Sequence, residues 1–133
     1  MKILVCDNLE KKVVEKLSDL GEVTNISDSK NKTEELMSNI VDTDIVVIRS
    51  STKINKDILQ EANKLKIIAR CGVGIDNIDI EEATNKEIYV TNSPNANIIS
   101  VAELTIGLII SAARNIHTSN NSLKDKNWDR NKF

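Results

Sequence analysis

Aromatic residues are nearly absent from this sequence: it has one Trp, one Tyr and one Phe, or 2% of its 133 residues. Because hydrophobic residues still make up 40% of the chain, its core has to be built from aliphatic side chains. A single proline and four glycines exclude a low-complexity linker, and a 29% share of charged residues is ordinary for globular proteins. We therefore expect a folded chain about the size of one domain.

Cysteine is scarce as well, and neither sign of charge is in large excess. Cys6 and Cys71 fit neither a disulfide framework nor a metal-site spacing, so we expect no metal. A formal net charge of −2 gives no reason to expect nucleic acid or an anionic membrane as a partner. The N-terminal apolar run is too short for a signal peptide, and no run approaches the roughly 20 residues of a membrane span. We expect a cytoplasmic protein.

Short β-branched runs alternate with helical patterns along the chain. The predicted strands cover residues 3–6, 22–25, 45–48, 66–69 and 88–90, and the predicted helices cover 9–17, 33–41, 56–62 and a short stretch after residue 79. Thr33, Asn55 and Asp79 are the predicted N-caps. Strands without apolar–polar alternation are buried on both faces. The pattern predicts an α/β fold, a parallel sheet with helices on both faces.

The last predicted helix differs from the others because it is apolar almost all round. Ser100 and Glu103 form a capping box, which predicts a helix over residues 100–116. A helix of this kind is buried on most sides, and one small sheet covers only one of them. We therefore expect a second domain or a second subunit to cover the rest. His117 would follow the helix C-terminus, where a capping or surface role is favoured over catalysis.

Two arginines and a glycine pair follow the predicted strands. Arg49, Arg70 and the segment 72–74 all stand at carboxyl ends of strands, where parallel sheets bind ligands. Their charge and the two glycines favour a small anion. The alternative, in which both arginines are solvated residues of the rim, stays open at this point.

The segment 72–77 imitates the dinucleotide fingerprint G-x-G-x-x-G without completing it. Asn77 replaces the third glycine, and Thr91 and Asn92 stand where an acidic residue is expected after the next strand. We therefore exclude NAD binding in the Rossmann manner at this loop. Two glycines still allow backbone N–H groups to approach an anion, and the alternative is a tight turn only.

Two other classes of protein share parts of this pattern. A receiver domain of a signalling protein has the same alternation but needs a phosphoacceptor Asp after its third strand, where this chain has Arg49. It also needs an acidic pair after its first strand, where Asp7 is followed by Asn8. A non-catalytic module that binds small acids would differ from an enzyme only in lacking a downstream cofactor domain.

Three ordered segments, residues 48–53, 64–79 and 92–105, closely resemble the D-isomer-specific 2-hydroxyacid dehydrogenase family, and within it the D-3-phosphoglycerate dehydrogenase branch. The resemblance covers essentially the whole chain. It implies a flavodoxin-like substrate-binding domain over residues 1–97. Residues 98–133 would form an interdomain helix and the start of a nucleotide-binding domain that is otherwise absent, with the helix as part of a homo-oligomer contact.

The resemblance also implies a set of substrate-binding residues. The position of Arg49 binds the acid substrate, the backbone of Gly72, Val73 and Gly74 receives its carboxylate, and Asn97 touches it at the hinge. Val73 lies near the nicotinamide, and Arg130 corresponds to a basic residue that reaches the substrate phosphate of a neighbouring subunit. The implied substrate-binding residues are Arg49, Ser50, Gly72, Val73, Gly74, Asn97 and Arg130.

The implied reaction is the NAD-dependent oxidation of 3-phosphoglycerate to 3-phosphohydroxypyruvate, in serine biosynthesis. The family's nucleotide fingerprint and its catalytic Arg, Glu and His follow a position equivalent to Phe133, and His117 matches none of them. We therefore expect an N-terminal fragment without catalytic residues, which by itself binds no NAD and is inactive.

Overall fold

A computed structural model describes residues 1–128 and 131–133 of the chain. The chain divides into two compact units, Met1–Ala96 and Asn97–Phe133. Each unit is described separately below.

The first unit is a parallel five-stranded sheet with a helix between each pair of consecutive strands. The strands are β1 Lys2–Val5, β2 Glu22–Asn25, β3 Ile45–Ile48, β4 Ile67–Arg70 and β5 Tyr89–Thr91. The helices are α1 Lys11–Ser18, α2 Lys32–Ile40, α3 Lys56–Glu61 and α4 Ile80–Asn85. The strand order is β2-β1-β3-β4-β5, with all pairs parallel. The predicted α/β fold is confirmed.

The two faces of this sheet carry different numbers of helices. On one face, Leu4, Val46 and Ile68 belong to a large aliphatic cluster that includes residues of three helices: Leu36, Ile40, Ile58, Leu59 and Ala83. On the other face, Ile3, Val5 and Val47 pack with Leu9, just before α1, and with Leu17 of α1. Because α1 is the one helix of the first unit on this face, the edge strand β5 is not covered there, and Tyr89 is 75% exposed.

Two of the predicted caps are confirmed and two are wrong. The Asn55 side chain accepts a hydrogen bond from the N–H of Ile58 at 3.1 Å, and Asp79 accepts one from Glu82 at 3.0 Å. Thr33 lies inside α2, because the Asn31 carbonyl already accepts from Glu35 at 3.0 Å. Ser100 likewise lies inside the helix that it was expected to begin.

The second unit contains two helices, α5 Ile98–Ala113 and α6 Ile116–Lys124. α5 begins after Asn97, whose carbonyl accepts from the N–H of Val101 at 2.9 Å. The prediction of one helix through residue 116 is wrong, because Asn115 adopts a left-handed conformation with φ 51° and ends the first helix. Asparagine tolerates this region better than other non-glycine residues.

The break also corrects the position of His117. It lies in the first turn of α6 and not beyond a helix C-terminus, and its Nε2 is 3.2 Å from Nδ2 of Asn121. His117 is exposed, which agrees with the surface role in the prediction of a capping or surface role; the C-terminal capping role is wrong because the residue lies near a helix N-terminus.

Among the described residues, no single helix has the length and apolar composition needed to cross a membrane. α5 and α6 satisfy that criterion only when they are taken together, with a bend of 65° between them.

Candidate functional site

The carboxyl ends of β1, β3 and β4 lie side by side, and the residues that follow them form what we call the rim of the sheet. The N–H of Cys6 donates to Val47 at 3.0 Å, and the N–H of Cys71 donates to Ile48 at 2.8 Å. The residues that directly follow these strands are therefore neighbours. They include Asp7, Arg49 and the glycine loop, which we define as residues 71–77.

Asp7 lies at the centre of this rim and is buried, with 2% of its surface exposed. One carboxylate oxygen accepts from the backbone N–H of Arg49 at 2.5 Å and of Thr52 at 3.3 Å. The other accepts from Thr52 Oγ1 at 2.8 Å, from Ser51 Oγ and from the Lys32 ammonium. Every donor comes from a segment more than twenty residues away, so the carboxylate joins three parts of the chain.

The ionisation of Asp7 follows from these contacts. Burial by itself would raise the pKa of the carboxyl group, but the Lys32 ammonium and the hydroxyl and backbone donors hold that pKa well below its usual range. The group is a carboxylate at any physiological pH. In the neighbouring Cys6, burial and the negative charge of Asp7 outweigh the effect of Lys32 and raise the pKa of the thiol to about 12.

Arg49 is anchored by its backbone and exposed at its side chain. Its guanidinium Nη1 lies 3.4 Å from the carbonyl oxygen of Asn8, and Ser50 beside it is exposed. Within residues 1–128 and 131–133, neither Arg49 nor Arg70 forms a salt bridge. Two guanidinium groups thus stand at adjacent strand ends without a carboxylate partner in the described part of the chain.

The glycine loop leaves room for one of these guanidinium groups. A Cβ atom at Gly72 would lie 2.4 Å from Nη1 of Arg70, and a Cβ at Gly74 would lie 2.7 Å from Oδ1 of Asp76. Of the predicted anion-binding amides, that of Gly72 already donates to the Arg70 carbonyl at 3.0 Å. Among the hydrogen bonds of the described residues, the N–H groups of Val73 and Gly74 have no protein acceptor. Of the three predicted amides, only that of Gly72 has a protein acceptor among the described residues.

Asn77 connects the glycine loop to the segment that follows β3. Its side-chain amide donates to the carbonyls of Arg49 at 2.8 Å and Thr52 at 2.6 Å, while its Oδ1 accepts from Nε of Arg70 at 3.0 Å. The sequence identified Asn77 only as a missing glycine. The turn after β5 braces the same loop, because the N–H of Ser93 donates to Gly72 at 2.9 Å.

The first unit does not contain two further predicted site residues. Asn97 belongs to the second unit, where it precedes α5 and makes no side-chain capping hydrogen bond. Arg130 lies outside the described residues. Asp7 was missed as a site residue, although an acid directly after a buried apolar strand was the signal that could have identified it. In the part of the chain that the structure describes, no group of His, Cys, Asp and Glu side chains is arranged to hold a metal ion.

The chain is similar in sequence to a known protein family and to several named proteins. Residues 3–125 match the family described as D-isomer specific 2-hydroxyacid dehydrogenase, catalytic domain. The D-3-phosphoglycerate dehydrogenase of Methanocaldococcus jannaschii is 50% identical over 100% of this chain, which covers 25% of that protein. A hydroxypyruvate reductase of Thermotoga maritima is 41% identical over 97% of this chain, which covers 42% of the relative.

A solved structure supports the same relationship. The NAD+-bound 3-phosphoglycerate dehydrogenase of Entamoeba histolytica is 38% identical, with a TM-score of 0.71 over 84% of this chain and 38% of the other. The chain spans about a quarter of the length of the curated phosphoglycerate dehydrogenases that it matches. The match over nearly all of its residues means that this chain belongs to the D-isomer specific 2-hydroxyacid dehydrogenase family.

Proposed function

We propose that this chain is the substrate-binding part of an NAD-dependent D-2-hydroxyacid dehydrogenase that oxidises 3-phosphoglycerate to 3-phosphohydroxypyruvate, a step of serine biosynthesis. Residues 1–97 form the substrate-binding domain, and residues 98–133 form the interdomain helix and the start of the nucleotide-binding domain. The observation that carries the proposal is the rim where Arg49 and the glycine loop follow adjacent strands. Relatives named D-3-phosphoglycerate dehydrogenase support this substrate.

The anionic substrate would be held by charge and by backbone donors together. The Arg49 guanidinium faces the acid, with Ser50 and Asn97 as further polar contacts, and Arg130 reaches the substrate phosphate of a neighbouring subunit. The substrate carboxylate lies against the amides of Val73 and Gly74, and Val73 borders the nicotinamide when NAD is bound. A charge-assisted hydrogen bond of this kind contributes about 1.5–3 kcal/mol. This chain grips and orients the acid, and it supplies no group for proton or hydride transfer.

The residues of the glycine loop do not fit a dinucleotide. A pyrophosphate needs a glycine turn that feeds directly into the open N-terminus of a helix. Here Asn77 replaces the third glycine and its side chain is fully engaged, and the Asp79 carboxylate already occupies the first turn of α4. NAD in the complete enzyme would therefore be bound mainly by residues of a separate nucleotide-binding domain.

The test of the proposed site is Arg49→Ala in the longer protein to which we assign this chain. We expect the KM for 3-phosphoglycerate to rise about 10- to 150-fold, which is 1.5–3 kcal/mol, while the Kd for NAD stays unchanged. Lys64→Ala is the matched control, because it removes a positive charge that pairs with Asp42 before β4 begins. A normal KM in Arg49→Ala would refute the site.

A second substrate follows from one of the relatives. Because a hydroxypyruvate reductase is 41% identical to this chain, the reductions of 3-phosphohydroxypyruvate and hydroxypyruvate should be compared by kcat/KM. We expect the phosphorylated acid to be preferred.

The same assays separate the dehydrogenase from the two alternatives, a non-catalytic acid-binding module and a receiver domain. An acid-binding module would bind 3-phosphoglycerate without any turnover in the longer protein, and the receiver hypothesis is not favoured for a member of this family with Arg49 at the end of β3.

The chain on its own should neither bind NAD usefully nor turn over substrate, since catalytic residues act as a unit. Calorimetry with NAD and an assay of NADH formation test this expectation directly. A micromolar Kd for NAD, or measurable turnover, would contradict it and would direct attention back to the glycine loop and to His117.

We also propose that the complete protein is a cytoplasmic homo-oligomer without nucleic-acid or membrane partners, and that the segment 100–116 forms its subunit contact. The support is the composition of α5, which has no buried residue although most of its residues are apolar. Contiguous exposed apolar surface of this kind is typical of protein interfaces.

A further inference from the structure

Four hydrogen-bond donors of the segment Arg49–Thr52, which we call the arginine loop, share one acceptor side chain. The N–H groups of Arg49 and Thr52 and the hydroxyls of Ser51 and Thr52 all donate to Asp7. The carboxylate is buried beneath the loop and also binds Lys32 of α2. No other side chain among the described residues accepts so many hydrogen bonds.

Two carbonyl acceptors of the same loop share a second side chain, which follows a different strand. Nδ2 of Asn77 donates to the carbonyls of Arg49 and Thr52, at the two ends of the loop. Oδ1 of Asn77 accepts from Nε of Arg70. A single amide therefore sets the spacing of the arginine loop and the direction of the neighbouring guanidinium group.

We propose that Asp7 and Asn77 are positioning residues that hold the arginine loop between them, so that the Arg49 guanidinium is presented to the bound acid, and that Asn77 also fixes the neighbouring Arg70. The proposal rests on the proposed function, since it assumes that this rim binds the substrate anion. Neither side chain needs to touch the substrate. Each side chain restricts the conformations of the loop before the acid binds, so less conformational entropy is lost on binding.

The division of roles makes a prediction that a general loss of stability does not. Asn77→Ala removes all three hydrogen bonds, whereas Asn77→Asp keeps an acceptor for Arg70 but removes both donors to the loop carbonyls. If the loop contacts matter, Asn77→Asp should be as impaired as Asn77→Ala. If Asn77 acted only through Arg70, hydrogen exchange at the arginine loop should be unchanged in Asn77→Asp; exchange carries this distinction because the added carboxylate would itself repel the acid.

The first measurement is amide hydrogen exchange on the 133-residue chain. In Asn77→Ala and in Asp7→Asn, we expect the N–H groups of Arg49 and Thr52 to exchange at least about tenfold faster, because local opening becomes easier. The N–H of Tyr89, which donates to Lys66 at 2.9 Å at the other end of the sheet, should be unchanged. Asn39→Ala is the matched control, since this amide bonds only within α2.

The second measurement is steady-state kinetics with the longer protein. Asn77→Ala and Asn77→Asp should each raise the KM for 3-phosphoglycerate about tenfold and leave the KM for NAD unchanged, because preorganisation of the acid site alone is lost. Unchanged exchange at Arg49 and Thr52, or an unchanged KM for the acid in folded variants, would overturn the proposal. If Asn77→Ala does not fold, Asp7→Asn and Asn77→Asp carry the same two readouts.

Failure of the proposed function would give a different result. If Arg49→Ala leaves acid binding intact, the rim is not the substrate site, and the claim that it is oriented for the acid falls with it. The exchange data then still decide whether Asp7 and Asn77 hold the loop. If Arg49→Ala weakens acid binding and both Asn77 variants do not, the site stands and the positioning proposal is wrong.

Discussion

The two units of this chain differ in whether their aliphatic side chains are buried. In Met1–Ala96, short runs of Ile, Val and Leu are buried, and every buried hydrophobic residue of the described part lies between Ile3 and Ile88. In Asn97–Phe133, the far more apolar helix α5 has no buried residue. The sheet buries its side chains because strands and helices present complementary surfaces to one another. Composition alone therefore does not make a core, and an apolar element without a partner surface stays exposed.

The comparison predicts the largest effect for charges introduced on α5. The double substitution Ile106→Glu and Ile110→Glu should abolish self-association, because burying two unpaired carboxylates in an interface costs about 4 kcal/mol or more. Light scattering measures the change in mass, and circular dichroism should show that the sheet remains folded. A chain that is a monomer before substitution, with α5 rigid and facing solvent, would contradict the assignment of this helix as a subunit contact.

The next effect contrasts one isoleucine from each unit. Ile68 is 0% exposed and Ile109 is 62% exposed. Ile68→Ala should lower the free energy of unfolding by about 3–4 kcal/mol, because it leaves a cavity in the core. Ile109→Ala should change the stability of the first unit by less than about 0.5 kcal/mol. Urea unfolding followed by circular dichroism measures both variants, and equal losses would show that the units do not differ in this way.

A smaller effect is expected for the polar centre of the first unit. Asp7→Ala should lower the free energy of unfolding by about 2–3 kcal/mol, because it leaves Lys32 and several buried donors without their acceptor. Lys32 is partly exposed, which keeps the loss below that of a fully buried ion pair. Asp42→Ala is the control, since the ion pairs of Asp42 with Lys2 and Lys64 are exposed. A loss in Asp7→Ala no larger than in Asp42→Ala would contradict the account.

The smallest predicted effect is the dependence of stability on low pH. The pKa of Asp7 is lower in the folded chain than its unfolded value of about 3.9, so its contribution to stability is complete above that value and declines as the pH falls below it. Asp7→Asn should therefore be less stable than the unsubstituted chain at pH 6, and the difference should shrink toward pH 2. Unfolding titrations at several pH values test this, and a constant difference would show that ionisation of Asp7 is not the cause.

Local signals were sufficient for much of the first unit. The order of strands and helices followed from apolar runs, and the caps Asn55 and Asp79 followed from residues within one turn of them. The start of α5 and the break at Asn115 did not follow from such signals. Each depends on where a helical hydrogen-bond series begins or stops, and a capping pattern at Ser100 does not prevent the helix from extending a turn further back.

The sequence by itself determined that the core is aliphatic, that the sheet is parallel, and that charged and glycine residues follow its strands. Those properties depend on residue type and on neighbours close in the chain. Only the tertiary structure decided that Asp7 and Asn77 hold the arginine loop. Their partners are separated from them by 42 residues for Asp7 and Arg49 and by 28 for Asn77 and Arg49. These contacts exist because β1, β3 and β4 lie side by side, and strand order is a property of the packed sheet that no single segment encodes.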